Sequence, residues 1–172
     1  MIIKKPITGT YPAFMEKYVA LIPDDGELVK HLEKTQKAFE EYILSLPESK
    51  HEFRYAEGKW TIKELLVHLC DAERIFIYRA LRYARKDETP LPGFDENAYV
   101  PASHANKRSM KNILEEMRLL RASSIAFIKT LNEDDMKRSG VSTSGNPTTV
   151  LALINNVLGH QLHHWNVIKE RY

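Results

Sequence analysis

Gly159-His160-Gln161-Leu162-His163-His164-Trp165 sits inside the last apolar-periodic stretch of the chain, Asn146 to Tyr172. His160 and His164 are four residues apart, so on a helix their rings share one face, one turn above the other. Leu153, Val157 and Ile168 continue that face at three- and four-residue steps, which turns it toward a core. An imidazole buried without a partner costs free energy. Two imidazoles at this spacing can both reach one transition metal, each with a ring nitrogen about 2 Å from the ion. The spacing alone does not separate a metal site from two core histidines with ordinary polar neighbours. The rest of the chain bears on that choice.

With 172 residues, the chain is expected to form one domain over 1–172, large enough to bury a core without staples. A hydrophobic share of 43% with 28% charged residues is that of a soluble globular protein. The formal net charge of +2 is too mild to predict a nucleic-acid partner. A single cysteine, Cys70, excludes an intrachain disulfide and fits a reducing compartment. The opening Met-Ile-Ile-Lys-Lys is too short for a signal peptide, and no apolar run approaches the ~20 residues of a membrane span. These features lead us to expect a cytoplasmic protein.

Residues 1–23 carry Pro6, Gly9, Pro12 and Pro23 among scattered aromatics and read as an irregular arm laid over the body, with a short helical turn. Acids at 24–27 then open a first helix, with Leu28, Leu32, Thr35, Phe39, Tyr42 and Leu46 on one face and Pro47 as its stop. His31 falls beside that stripe, at a rim or surface position. Thr61-Ile62-Lys63-Glu64 is a capping-box signature for a second helix that runs to about Arg85. His68 follows in register with Leu65, Ala72 and Ile75 and so can face inward. Glu64, four residues before His68, reads either as the cap or as a carboxylate supporting that histidine. Cys70 lies roughly 200° around the helix from His68, away from any shared ligand set. Lys86 to Asn106 is a long connection containing Pro90, Pro92, Gly93 and Pro101, and its Phe94–Tyr99 stretch is a candidate to line a pocket mouth. A third helix spans Lys107 to Leu131, with Arg108, Arg118 and Arg121 read as solvated or ion-paired. Residues 132–145 read as a loop. Asn146 and Pro147 then serve as N-cap and first residue of the fourth helix.

Four helices of about twenty residues, with no convincing strand pattern, imply an all-α four-helix bundle. His68 lies about 10 Å along the second helix, and the His160/His164 pair about 22 Å along the fourth, about 14 Å before its end. If those helices run antiparallel, the three rings reach nearly one level; if parallel, they miss by about 12 Å. An antiparallel arrangement needs one loop to be a crossover, and only the Lys86–Asn106 connection between helices two and three is long enough. Spacing, loop and a three-histidine site support one another.

Three neutral imidazoles leave coordination positions open to water or substrate, as catalytic rather than structural sites do. A metal so held lowers the pKa of bound water or thiol. Imidazole suits zinc, nickel, copper and iron alike. A zincin protease needs His-Glu-x-x-His, but the second position here is Gln161. A di-iron bundle needs Glu-x-x-His on two helices, whereas Glu48–His51 is the only such spacing and lies beside Pro47. A bis-histidine haem leaves one inward histidine surplus, and no nucleophile-elbow motif supports serine hydrolase chemistry. The basic row Arg74, Arg79, Arg82, Arg85, Lys86 could touch phosphate, but reads better as a solvated or dimer-facing surface.

Lys59-Trp60-Thr61-Ile62-Lys63-Glu64 followed by Val67-His68-Leu69, then Leu91-Pro92-Gly93-Phe94-Asp95, then Gly159-His160-Gln161-Leu162-His163-His164 and the closing Arg171-Tyr172, resembles the DinB/YfiT-like superfamily. The likeness covers roughly residues 25–172. It implies a four-helix bundle with a crossover between helices two and three. It also implies a metal triad at His68, His160 and His164, commonly with nickel or zinc as the divalent ion, and a homodimer. The characterised enzymes of that family depend on thiols: S-transferases using low-molecular-weight thiols such as bacillithiol, and a mycothiol-dependent maleylpyruvate isomerase. The expected function is therefore metal activation of a low-molecular-weight thiol (S-transferase) or of water (hydrolase). The alternative is a non-catalytic dimeric bundle with a structural or vestigial metal. Candidate general bases are confined to Glu64, Asp71 and Asp95. A metal-polarised thiol needs none, which favours transfer.

Overall fold

The computed structural model describes residues 2–141, 145 and 147–172. Four long helices form the body: α2 (Leu28–Ser45), α3 (Ile62–Ala84), α5 (Met110–Ile128) and α7 (Val150–Arg171). Short helices accompany them: α1 (Glu16–Val19) in the N-terminal arm, α4 (Glu96–Ala102) in the α3–α5 connection, and α6 (Glu133–Lys137) after α5. The molecule is the four-helix bundle its periodicity predicts.

Side-chain contacts fix the helix directions. Thr61, at the head of α3, donates to the Asn106 side chain just ahead of α5, and further along Arg74 pairs with Glu116 at 2.6 Å. Those two helices therefore run parallel, which only a crossover between them permits. The other end of α3 meets the start of α7: Arg138 Nη1 donates to the Ala84 carbonyl, and the Val150 N–H donates to the Arg138 carbonyl at 2.8 Å. At the opposite end the Tyr172 hydroxyl donates to the Trp60 carbonyl. Helices α3 and α7 are antiparallel, as the level of the three histidines requires.

Local chemistry sets the helix starts. Thr61 Oγ1 accepts from the Glu64 N–H at 3.1 Å while the Glu64 carboxylate accepts from the Thr61 N–H at 2.8 Å, a complete capping box. Arg54 and Asn106 also donate to that carboxylate. Glu64 is thus the cap rather than a support for His68. On α2 the buried face is Leu28, Leu32, Gln36, Phe39 and Ile43, so the inward stripe advances through Gln36 and Ile43 where Thr35 and Tyr42 were expected. Helix α5 begins at Met110 behind the Ser109 cap, three residues later than the sequence suggested, because Ala105–Lys107 forms a separate 3-10 turn.

The expectation of no strands is corrected by a two-stranded antiparallel hairpin, β1 (Ser139–Val141) and β2 (Pro147–Thr149), paired Ser139↔Thr149, Gly140↔Thr148 and Val141↔Pro147. Strands of three residues are too short to show alternation. Gly140 is required there: a Cβ would lie 2.0 Å from the Tyr83 ring. Pro147 therefore lies in a strand, and α7 starts at Val150, with Thr149 as the cap accepting from the Ala152 N–H. The proposed Asn146 cap lies outside the described residues.

The N-terminal arm is fastened to α7. Asn155 Nδ2 donates to the Lys4 carbonyl, the Thr149 N–H to the Thr10 carbonyl, and Tyr11, Met15 and Val19 pack with Ala152. Gly159 lets the arm approach closely, since a Cβ there would stand 2.5 Å from the Tyr18 carbonyl oxygen. Among the described residues no helix is long and apolar enough to cross a membrane.

One buried layer ties the bundle together. Arg121 on α5, 3% exposed, forms paired hydrogen bonds to Glu73 on α3 at 3.0 and 2.8 Å. It also donates to Gln161 Oε1 on α7 at 2.9 Å and to the Leu32 carbonyl on α2 at 3.4 Å. Of the three arginines read as solvated or ion-paired, Arg121 is the buried one. Removing one partner of such a pair strands the other charge. Glu73→Ala is therefore expected to lower unfolding free energy by about 3–5 kcal/mol in urea titrations followed by circular dichroism.

Candidate metal centre

His68 stands on the second turn of α3, directly after the capping box, and His160 and His164 stand on successive turns of α7. The antiparallel pairing brings them to one level. His68 Nε2 lies 3.3 Å from His160 Nε2, and His164 Nε2 lies 3.1 Å from that same atom. Ligand atoms of all three fall within 4.8 Å of one another. The three residues named from the sequence are thus brought together.

These separations allow a physical test of fit. Nitrogens held about 2 Å from a shared ion stand about 2.8 Å apart at right angles and about 3.3 Å apart at tetrahedral angles. The observed 3.1 and 3.3 Å fall in that interval. Hydrogen bonding among the rings cannot substitute. Each neutral Nε2 offers either one proton or one lone pair, so His160 Nε2 can serve only one of its two neighbours. The donor set fits a divalent ion.

Burial keeps the rings in the protonation state such binding needs. Desolvation carries the His68 pKa down to about 4, against a smaller upward pull from the Glu96 charge. Burial also carries His164 to about 3, with help from the charges of His68, His163 and Lys17. His160, the most enclosed, lies well below the ordinary imidazole value for the same reason. His163 turns aside from the cluster and packs edge-on against Tyr18 at 5.2 Å, as its position on the helix predicts. Cys70 is buried, and burial raises its thiol pKa, so it offers no thiolate.

The cluster opens onto a cavity of about 520 Å³ between α3, α7, the arm and the crossover connection. Trp60 packs on His68 at 4.7 Å, Phe76 on His160 at 5.6 Å, and Tyr18 on His160 at 5.2 Å. Phe94 lines this cavity, as the sequence suggested, whereas Tyr99 from the same stretch lines a neighbouring crevice. Asp95 caps α4, accepting from the Asn97 N–H at 2.9 Å, and so is occupied structurally. Asp71, half-buried beside Arg74, lies outside the cavity. Glu96 on α4 also lines it, within the stretch proposed for the pocket mouth. Two charged lining groups were missed: Lys17 in the arm, which carried no signal, and Arg79 on α3, read in the sequence as part of a solvated or dimer-facing basic row.

The fold and this cluster define a class: a crossover four-helix bundle with three converging imidazoles at the floor of a pocket. A model of the DinB superfamily matches residues 31–168, and the chain belongs to that superfamily. A protein of Oceanobacillus iheyensis, provisionally named a metal-dependent hydrolase, is 24% identical over 86% of this chain and 85% of its own length. Among solved structures, YfiT from Bacillus subtilis, described as a probable metal-dependent hydrolase with an unusual four-helix bundle topology, superposes with a TM-score of 0.77 at 20% identity. The superposition covers 87% of both chains. The mycothiol-dependent maleylpyruvate isomerase superposes with a TM-score of 0.59 at 13% identity, over 79% of this chain and 58% of that one. At these identities the likeness to the solved structures is one of fold.

The depressed imidazoles give metal-stripped protein a pH signature. Unfolded chains take up protons as the pH falls through about 6.5, while folded His68 does so only near 4. Between those values the unfolded state binds more protons, so stability falls with falling pH. Chelator-treated protein is expected to lose roughly 3 kcal/mol or more from pH 7 to 4 through these rings. The slope of denaturation midpoint against pH should shrink in His68→Phe.

Proposed function

We propose that His68, His160 and His164 hold one divalent ion, nickel or zinc, and that the chain is a metal-dependent enzyme acting on a small molecule in the adjoining cavity. The observation that carries this reading is the convergence of three neutral imidazoles, two buried and one half-buried, with Nε2 separations suited to a common ion. Names among the relatives agree with it, since two are described as metal-dependent hydrolases. Bound there, a divalent ion supplies Lewis acidity sufficient to hold water or a thiol deprotonated near neutral pH.

The protein's own groups divide the remaining work. Three imidazoles from two helices occupy one side of the site and leave the cavity side open for a reactant. Trp60, Tyr18 and Phe76 wall the rings and limit access of bulk water. Glu64 and Asp95 are committed to helix caps, so neither is free to take a proton. A thiol, acidic enough to ionise without a carboxylate base, suits that arrangement. We therefore place transfer from a low-molecular-weight thiol first, in keeping with the thiol-dependent isomerase that shares the fold. Hydrolysis is the second reading. It is favoured by Glu96, a carboxylate lining the cavity close enough to raise the His68 pKa and so a candidate proton acceptor for water. The proposal includes a homodimer and a single domain over 1–172.

His68→Ala is expected to reduce metal from about one ion per chain to near none by elemental analysis, with the helical circular dichroism unchanged. Full metal retention in that variant refutes the triad. Thiol-transfer and ester-hydrolysis assays before and after chelation decide the chemistry. Activity with cysteine or bacillithiol that disappears on chelation and returns with nickel or zinc supports transfer. A metal-loaded protein inert in both assays indicates the non-catalytic bundle.

A further inference from the structure

The cavity above the histidines carries charges that metal activation leaves unused. Lys17 comes from α1 in the arm, outside the 31–168 span that matches the family model. Its Nζ lies 4.8 Å from the Tyr18 ring centroid, and that centroid lies 5.2 Å from the His160 ring. One aromatic ring therefore separates the ammonium from the imidazole cluster. None of the ion pairs among the described residues involves Lys17.

Arg79 lines the same cavity from α3. Its Nη2 donates to the Pro92 carbonyl at 2.7 Å, which anchors the guanidinium to the crossover connection and leaves further donors in its fork for another acceptor. Asn156, 1% exposed and one turn ahead of His160, also lines the cavity, and its Oδ1 has no hydrogen-bond partner among the described residues. That oxygen only accepts, so it marks a place for a donor on a ligand's body rather than for a carboxylate. Aromatic rings make up much of the remaining wall, including Phe14, Trp60, Phe76 and Phe94.

We propose that this cavity binds a small organic acid, with its carboxylate on Lys17 and Arg79 and its apolar body against the aromatic wall. The proposal deepens the reading above, since it takes the cavity as the substrate site. Two cations face one carboxylate, Glu96, so the lining favours an anion even before an ion of charge +2 is counted. The lining thus suits an anionic head group joined to a hydrophobic body, as a small carboxylic acid supplies.

Isothermal titration calorimetry with 3-phenylpropanoate and its amide tests the assignment, on metal-loaded and on chelated protein. The acid is expected to bind about tenfold more tightly than the amide in both forms. Lys17→Gln, at an exposed position, should cut the acid's advantage to about twofold or less without loss of helical signal. Arg79→Gln should weaken it as well. Equal affinity for acid and amide in the wild-type protein overturns the proposal. So does an acid preference unchanged in both variants, in the metal-loaded and the chelated form alike. The chelated samples keep the two readings separable: an acid preference that persists without metal supports this subsite whatever the transfer and hydrolysis assays return.

Discussion

Three imidazole nitrogens facing one another inside a bundle form the constraint to which the rest of the structure answers. Each neutral Nε2 can give one proton or one lone pair, and His160 has to satisfy a neighbour on either side at 3.3 and 3.1 Å. Among the described residues no other side chain hydrogen-bonds these rings, and Trp60, Tyr18 and Phe76 crowd them instead. Burial holds the rings neutral and their lone pairs available, and this is what makes the cluster costly alone and well suited to a cation. A bundle of four helices joined only by short loops would run α3 and α7 parallel and set the rings at different heights. The crossover between α3 and α5 makes α7 antiparallel to α3, and the capping box at Thr61 fixes where α3 begins. Topology and local capping together set a registry that no pairwise contact would produce.

A second buried layer holds that registry from the side. Gln161 follows His160 directly, and one residue's rotation of about 100° carries its amide out of the histidine cluster to Arg121. Arg121 in turn grips Glu73 and reaches the Leu32 carbonyl, so one guanidinium carried by α5 bonds to the other three long helices. A buried ion pair adds little net stability compared with apolar packing, and its better-attested use is to specify one arrangement. Here the arrangement specified is the rotation of α7 about its axis, the angle that decides whether His160 and His164 face His68. A small space between Glu73, Arg121, Gln161 and His160 places this layer directly behind the middle imidazole.

Much of this was legible in the sequence because it depends on short-range rules. The Thr61–Glu64 cap, the stop at Pro47 and the four-residue spacing of His160 and His164 are local signals, and helix arithmetic turned them into a level match across the bundle. What escaped depends on partners far apart in the chain or on elements too short to show a period. Arg121 finds Glu73 at a separation of 48 residues, and nothing in its own neighbourhood marks it as buried. Hairpin strands of three residues carry no readable alternation, so Pro147 looked like a helix start although it belongs to β2. Glu64 had two readings of equal chemical sense, and only its contacts with Thr61, Arg54 and Asn106 choose between them. Lys17 sits on a four-residue helix within a proline-punctuated arm, a context that gives no hint of what lies beneath it.

The two halves of the site therefore have different origins. Helices α3 and α7 supply the imidazoles, and the crossover connection supplies Phe94 and Glu96, from within the 31–168 span that matches the superfamily model, whereas the arm that carries Lys17 lies outside that span. Bundle packing resists change at the imidazoles, because altering their level disturbs the Arg121 layer and the cap at once. The arm faces no such restriction. It is fastened at a few points, through Asn155, Thr149 and the close approach that Gly159 allows, and its exposed side chains can vary without cost to the core. A fold built this way holds the imidazole cluster in place while its covering segments are free to change the lining of the cavity above it. Chains that share this bundle at identities near 20% share its fold, and the arm is where their cavity linings can differ at least cost to the core.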